Sequence, residues 1–459
     1  MESTGGMKCF VRMAIIFWFL LAGSGSWSWA WAAGNPVPDD GEGEPFEENA
    51  MCDLSRLLKD NLDYTLRLLG KGEVQSPADS SQNPDNAFLH LPERAFRFEL
   101  RPDFRLTLPG VYLSLKPRVW AALDQWDAGV DDTGHDHGAD VFVNEWLARF
   151  SMNDRLYVSV GRENLQWGPG FLCSVSNPFF TDNGRLSPRE EVRGKDFARI
   201  VWVGSDTWSA SLIAGPGSHG PAPGHDSPDT VALKLDVAGG ASNGSIVVSH
   251  GQRTRIGAFG GWVVSDATLL YLEGLLQQGS DSLYPVESPN GLNADMAAIM
   301  TQDNALQGAL LLGGSHTLLN GTTLTVEYLF NSPGYDQKEA DAFYSLRTDA
   351  GRAYAGGGAL AGQASGILSL TADPGLRFFR QNYLMIQAVR SDIRGVLDLT
   401  GRWVLNLDDG SSQVFGSMGW FVGDHLELFA MATMNAGGTS TEFGTFVTRR
   451  LTLGLEITF

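Results

Sequence analysis

The sequence predicts an all-β fold: a transmembrane antiparallel up-and-down β-barrel of about eighteen strands. Three observations predict it. From residue 94 to residue 459, segment after segment alternates apolar and polar side chains with period two, so each strand has one face for an apolar medium and one for a polar medium. The connections alternate short and long, which puts the long loops at one end, an asymmetry a soluble sandwich has no reason to keep. Beyond the amino end no segment is apolar enough to cross a bilayer as a helix, which needs about 20 residues. A chain of this kind in a membrane must satisfy its backbone in a closed barrel.

Residues 1–32 read as a cleaved signal peptide. Lys8 and Arg12 give a positive start, an apolar run from Met13 to Gly23 follows, and Ala30-Trp31-Ala32 offers a cleavage site. An uncleaved anchor is the alternative. Residues 33–60 form an acidic, Pro- and Gly-rich flexible segment with a possible short helix, and residues 61–459 form the barrel. The boundary is two-valued. Leu54, Leu57, Leu58, Leu62, Leu66 and Leu69 fit one face of a helix; Leu62, Tyr64, Leu66 and Leu68 fit a strand equally well. The strand reading gives eighteen strands. The helix reading gives sixteen and a small amino-terminal plug. Both are even, and because seventeen strands follow residue 94, a crossing over 61–69 gives the simpler count.

The regular part begins with Phe96, Phe98, Leu100, Phe104, Leu106 and Leu108, set against Arg97, Glu99, Arg101, Asp103 and Arg105. Pro109-Gly110 turns the chain, and Val111 to Leu123 repeats the pattern with Lys116 and Arg118 on the polar face. Further strands are expected at 140–151, 154–162, 197–204, 207–214, 229–237, 244–250, 256–264, 267–277, 306–317, 322–331, 382–391, 395–406, 411–421, 424–434 and 446–459. Loops 127–139, 163–196, 215–228, 278–305 and 332–381 are the long ones. The last carries an Ala-rich, helical-looking piece in which Ala340, Phe343 and Tyr344 share one side. The final strand runs Leu451, Leu453, Leu455, Ile457, Phe459 against Thr452, Gly454, Glu456, Thr458.

A terminal strand of this pattern ending on Phe resembles the closing strand of porin-like outer-membrane β-barrels of Gram-negative bacteria. The resemblance implies export to the outer membrane, contact with its lipid and lipopolysaccharide, and recognition of the strand ending in Phe459 by the barrel-assembly machinery.

The net charge is −20 over 459 residues with 55 Gly, which argues against a nucleic-acid partner. Loss of residues 1–32 makes the chain slightly more acidic and leaves Cys52 and Cys173. An oxidising compartment permits their pairing; two isolated thiols are the alternative.

Three groups of residues are candidates for function. Arg97, Arg101, Arg105, Lys116, Arg118, Arg162, Arg199 and Arg402 are expected in the lumen as selectivity residues. The early strands are basic and the later ones more acidic (Glu273, Glu327, Asp398, Glu427), so facing charges could set up a transverse field or pair off across the interior. Loop 163–196 carries Asn164, Gln166, Trp167, Gly168-Pro169-Gly170, Asn177, Phe179 and Phe180. Aromatic faces beside amides suit a saccharide; a turn-rich loop packed on the wall is the alternative. Trp-Gly-Pro-Gly followed by Ser-x-Ser-Asn-Pro over 161–180 is similar to Wzi-like capsule-assembly proteins, which implies binding of surface polysaccharide. Asp131, Asp132, His135, Asp136 and His137 are candidate metal ligands, against a solvated acidic loop. With no Gly-x-Ser-x-Gly and no His-Glu-x-x-His, neither an enzyme nor a cofactor is expected. The expected function is a porin-like channel for small hydrophilic or anionic solutes or saccharides. A non-conducting, polysaccharide-binding surface barrel is the alternative.

Overall fold

The computed structural model describes residues 60–127, 134–217, 229–280, 282–287, 294–297, 305–372 and 376–459. The chain divides into two units at residue 57. The signal peptide, the acidic segment to residue 59, Cys52, Asp131, Asp132, His219 and His225 lie outside the described residues.

The strands are β1 (Leu62–Pro77), β2 (Arg94–Leu108), β3 (Val111–Gln125), β4 (His135–Asn153), β5 (Leu156–Glu163), β6 (Lys195–Ser205), β7 (Trp208–Gly215), β8 (Thr230–Gly239), β9 (Ser242–His250) and β10 (Thr254–Ser265). They continue with β11 (Thr268–Gln278), β12 (Tyr284–Glu287), β13 (Ala294–Ala297), β14 (Leu306–Thr317), β15 (Thr323–Asn331), β16 (Asn382–Ile393), β17 (Leu397–Asn406), β18 (Ser412–Val422), β19 (Leu426–Ala436) and β20 (Val447–Thr458). Two of them, β12 and β13, pair only with each other, as a hairpin inside a long loop. The other eighteen form one sheet in which each strand runs antiparallel to the next. β1 also pairs with β20, from Arg67↔Thr458 to Val74↔Leu451 and on to Pro77↔Val447. The sheet is therefore closed and has no edge. A barrel in hydrocarbon needs this, because edge N–H and C=O groups there would have no partner.

The faces divide as the period-two pattern requires. Phe96, Phe98, Leu233 and Leu453 point outward and are about half exposed. Arg101, Ser159, Glu273, Glu327 and Arg402 point inward and are almost fully buried. A continuous apolar outer wall of this kind is one solvated by hydrocarbon rather than water.

Two boundaries differ from the sequence reading. β1 is a strand, so the count is eighteen and the sixteen-strand barrel with a helical plug is excluded; but β1 continues to Pro77. Gly70, Lys71, Gly72 and Glu73 hide the alternation there, although their backbones pair in unbroken register with both β2 and β20. β4 begins at His135 rather than at residue 140. The register of β3 against β4 shifts between Lys116 and Pro117, where proline has no N–H to give the ladder.

The long loops build a cap at one end. Helix α1 (Gln337–Gly356) starts at Asp336, whose side chain accepts from the Glu339 N–H while Glu339 bonds back, and helix α2 (Ala361–Ala372) packs against it. Ala340, Phe343 and Tyr344 are buried on one side of α1, as their spacing predicts, among Tyr335, Ile367, Leu368 and Tyr284. Gly351 interrupts the sequence pattern but not the helix. A Cβ there would lie 1.9 Å from the Ser81 carbonyl oxygen, so the cap closes over this position only with glycine.

The face assignment is testable. Leu453→Arg places a cation on the lipid side near mid-strand and is expected to cost about 2–4 kcal/mol. Reversible urea unfolding from lipid vesicles measures it, and a change within error would show that Leu453 does not face hydrocarbon.

Candidate functional site

The site is built by residues 164–194, which join β5 to β6 and fold into the barrel instead of standing above it. The segment has little regular structure and is held by its own side chains. Asn177 accepts from the N–H groups of Phe179 (3.0 Å) and Phe180 (3.1 Å) and donates to the Leu165 carbonyl at 2.8 Å. Arg185 donates to the carbonyls of Pro169 and Gly170 at 2.7 Å each. Phe179 and Phe180 pack on Phe197, with Leu165, Ile213, Ala232 and Val247 around them.

On one side, two wall carboxylates hold the backbone of this loop. Glu327 of β15 accepts from the N–H of Phe171 (2.6 Å) and of Leu172 (2.9 Å) and from the Tyr271 hydroxyl (2.6 Å). Glu273 of β11 accepts from the Ser176 N–H (2.8 Å) and from the hydroxyls of Ser174 and Ser176 (2.7 Å each). Both glutamates are 0 % exposed. Each accepts from several donors at once, the arrangement a buried carboxyl group requires.

On the other side the anchors are ion pairs. Arg67 of β1 stands opposite Arg101 of β2 in the ladder, and Glu427 of β19 stands opposite Glu456 of β20. Like charges in such cross-strand positions repel. The loop inserts the opposite charge into each pair. Glu191 lies 3.2 Å from Arg67 and 4.0 Å from Arg101, and meets Arg118 of β3 in a two-pronged contact of 2.6 and 3.0 Å. Arg189 donates to Glu427 and, at 3.2 Å, to Glu456. Glu190 lies 3.9 Å from Lys71. Arg402 of β17 donates to the carbonyls of Arg185 (3.3 Å) and Leu186 (2.5 Å).

The loop thus lies across the lumen with cavities on both sides. Towards the long-loop end, about 460 Å³ is lined by Lys71, Arg97, Arg101, Arg118 and Arg193 against Glu99, Asp124, Asp136, Glu190 and Glu191. A neighbouring 300 Å³ is lined by Lys71, Arg189, Arg377, Arg402 and Arg450 against Glu73, Glu190 and Glu442. Lys71 and Glu190 border both. Towards the short turns, about 640 Å³ lies under Trp167, Gly168 and Pro169.

Most of the cations expected in the lumen are there, and most are paired. Arg97 meets Asp124 at 2.7 Å, Arg101 meets Glu99 at 2.5 Å, Lys116 meets Glu145 at 3.0 Å, and Arg199 meets Glu163 at 3.4 Å. Arg105 is exposed near the short-turn end of β2, with no polar partner among the described residues. Arg162 is a correction. It stands opposite Trp146 and Asp196 in the ladder, on the outward face, and pairs with Asp196 at 2.8 Å. Ser159 and Gly161 are buried on the inward face, and unbroken alternation places Glu163, not Arg162, with them.

The six candidate saccharide residues also divide. Trp167 lines the 640 Å³ cavity. Asn177, Phe179 and Phe180 are buried parts of the loop's own packing. Gln166 donates to Asn164 (2.6 Å) and to the Asp182 carbonyl (3.0 Å). As for metal, His135 and His137 lie on one face of β4 and Asp136 on the other, each beside a different residue of β3, so the three do not converge. Among the described residues no group of three His, Cys, Asp or Glu could hold a metal ion. Cys173 is buried between the loop and the wall. Arg67, Lys71, Arg189 and Glu191 were not singled out from sequence, although the charge-dense run Arg189-Glu190-Glu191-Val192-Arg193 just before β6 is a signal that could have found two of them.

One further carboxyl ties the cap to this region. Glu442, in the loop between β19 and β20, accepts from the Tyr383 hydroxyl, from Asn406 (2.8 Å) and from the Phe379 N–H (3.2 Å). Burial pushes it up from 4.5 to about 7, against the lowering effect of these donors. The folded chain therefore binds more protons than the unfolded chain between those values, and the tether weakens as pH rises through that window. Proteolysis within residues 437–446 is expected to quicken from roughly pH 5.5 to roughly pH 8 in the wild type, and to stay slow at both in Glu442→Gln. A wild type with no pH dependence would contradict this.

Comparison with solved structures places the fold. The chain is similar to OccAB1 of Acinetobacter baumannii, with a TM-score of 0.52 and 12% identity over 87% of this chain and 96% of that one. It is similar to OccAB2 of the same organism, with a TM-score of 0.50 and 9% identity over 87% and 98%. At these identities the likeness establishes the barrel architecture and nothing finer. No protein-family model and no curated protein matches the sequence.

Proposed function

We propose that the chain is an outer-membrane, porin-like channel for small hydrophilic solutes, with its long loops outside and its short turns in the periplasm. The observation that carries this reading is the loop across the lumen. A barrel whose only role was to display an outer surface would have no use for a charged, cavity-flanked partition inside it. A conduit needs one, because a partition sets the size and charge of what passes. The 300 Å³ cavity is lined by five cations and three acids, one of them the Glu442 held near neutrality by burial. That balance favours anions among the solutes that enter. The fold similarity to OccAB1 supports the reading at the level of architecture. The outward apolar wall fits outer-membrane lipid and lipopolysaccharide, and the strand ending in Phe459 fits recognition by the barrel-assembly machinery. The polysaccharide-binding alternative keeps Trp167 as a contact, since Phe179 and Phe180 are buried in the loop's own packing.

Single-channel recording of the refolded mature protein under a salt gradient tests the proposal. The wild type is expected to conduct steadily. Glu191→Gln removes one of the carboxylates shared by Arg67, Arg101 and Arg118, leaving Glu99, Asp103 and Glu456 as their partners, and its reversal potential is expected to move toward that of anions. A folded barrel that never conducts would overturn the channel.

A further inference from the structure

The 640 Å³ cavity on the short-turn side differs in kind from the two on the long-loop side. Its wall comes from β6 to β10, including Val203, Ser209, Asp236, Asn243, Ser245 and Phe259, and its roof from Trp167, Gly168 and Pro169. Its single lysine is already committed. Lys234 donates to Asp236, which also accepts from Ser245, and the Lys234 ammonium stands 5.7 Å from the Trp167 ring centre and 5.5 Å from that of Phe259.

Apart from Asp206 on the β6–β7 turn, what remains available is neutral. Asn243 uses its Oδ1 to accept from the Gly261 N–H at 3.0 Å, and its Nδ2 has no partner among the described residues. The Ser209 hydroxyl likewise has none among them. Gly244, Gly260 and Gly261 leave stretches of the lining bare of side chains. Two aromatic rings, an uncommitted amide donor, a free hydroxyl and a carboxylate edge therefore surround one space.

We propose that this cavity is a binding subsite for a neutral saccharide. A pyranose ring has apolar C–H faces and a rim of hydroxyls, so it pairs with aromatic rings and with mixed donors and acceptors together. An anion would meet Asp206 and Asp236, and a cation would find Asp236 held by Lys234 and only Asp206, at the turn, open to it. A purely apolar solute would bury Asn243 and Ser209 without partners. The volume falls within the ordinary range for small-ligand pockets, about 300–1,000 Å³. The proposal rests on the channel reading only for how the sugar arrives. It would make the periplasmic side of the partition a holding site for saccharides that have passed it.

Titration calorimetry of the refolded full-length barrel in detergent micelles, with maltotriose, sucrose and raffinose as probes, tests it. At least one is expected to bind saturably, and Trp167→Ala to weaken that binding by about tenfold, the value of one lost aromatic contact. Trp167→Phe should keep most of it. Asn243→Ala, at an exposed wall position, should weaken it too, and serves if Trp167→Ala fails to fold. Failure of all three sugars to bind the wild type, or unchanged binding in both alanine variants, would overturn the subsite. Binding by a barrel that does not conduct would overturn the channel and leave the subsite standing.

Discussion

The interior of this barrel depends on opposite charges meeting across the lumen. Its wall holds a like-charge pair of each sign: Arg67 opposite Arg101, and Glu427 opposite Glu456. The repulsion within each pair is offset in part by the wall, where Asp103 lies 3.4 Å from Arg67, Glu99 lies 2.5 Å from Arg101 and Glu456 lies 3.9 Å from Arg67. A single loop supplies both counter-charges from positions two residues apart, Glu191 to the arginines and Arg189 to the glutamates. Glu99 and Asp103 of the wall meet part of the arginine charge, and the loop completes it. This is why a segment of weak regular structure can have one position inside the barrel.

Closure of the sheet makes that arrangement possible. Because β1 pairs with β20 as well as with β2, the arginines of the first strands and the glutamates of the last become neighbours around a ring. Glu273 and Glu327 add a second kind of anchor, gripping backbone N–H groups rather than charges. The loop is thus held from several sides, with apolar packing of Phe179 and Phe180 fixing its approach. The position and charge of the partition between the two ends are thus set by the wall.

Much of the fold was legible in the sequence because a hydrocarbon solvent writes period-two alternation into every strand. Each of the eighteen barrel strands was placed, and so were the short turns. The misplaced boundaries have local causes. Gly70 and Gly72 in β1 carry no side chain to show a face, and β4 extends into a polar region above the apolar belt. The candidate site was only partly legible. Strand alternation puts Arg97, Arg101 and Arg118 in the lumen, but it cannot say what they meet there. Some of their partners come from a loop, where periodicity carries no information, and Arg162 lies at the strand's end, where the outward face of β5 continues in unbroken register. Aromatic residues are equally ambiguous: Trp167 borders a cavity while Phe179 and Phe180, a few positions on, are core.

Spin labels at Ser187→Cys in the loop and Thr207→Cys on the β6–β7 turn, in a mature chain carrying Cys52→Ser and Cys173→Ser, test the seating of the loop most directly. Pulsed dipolar spectroscopy in lipid is expected to give one narrow distance distribution. It should broaden when Arg189→Gln and Glu191→Gln are introduced together. A distribution already broad before those changes, or one unaltered by them, would contradict the account.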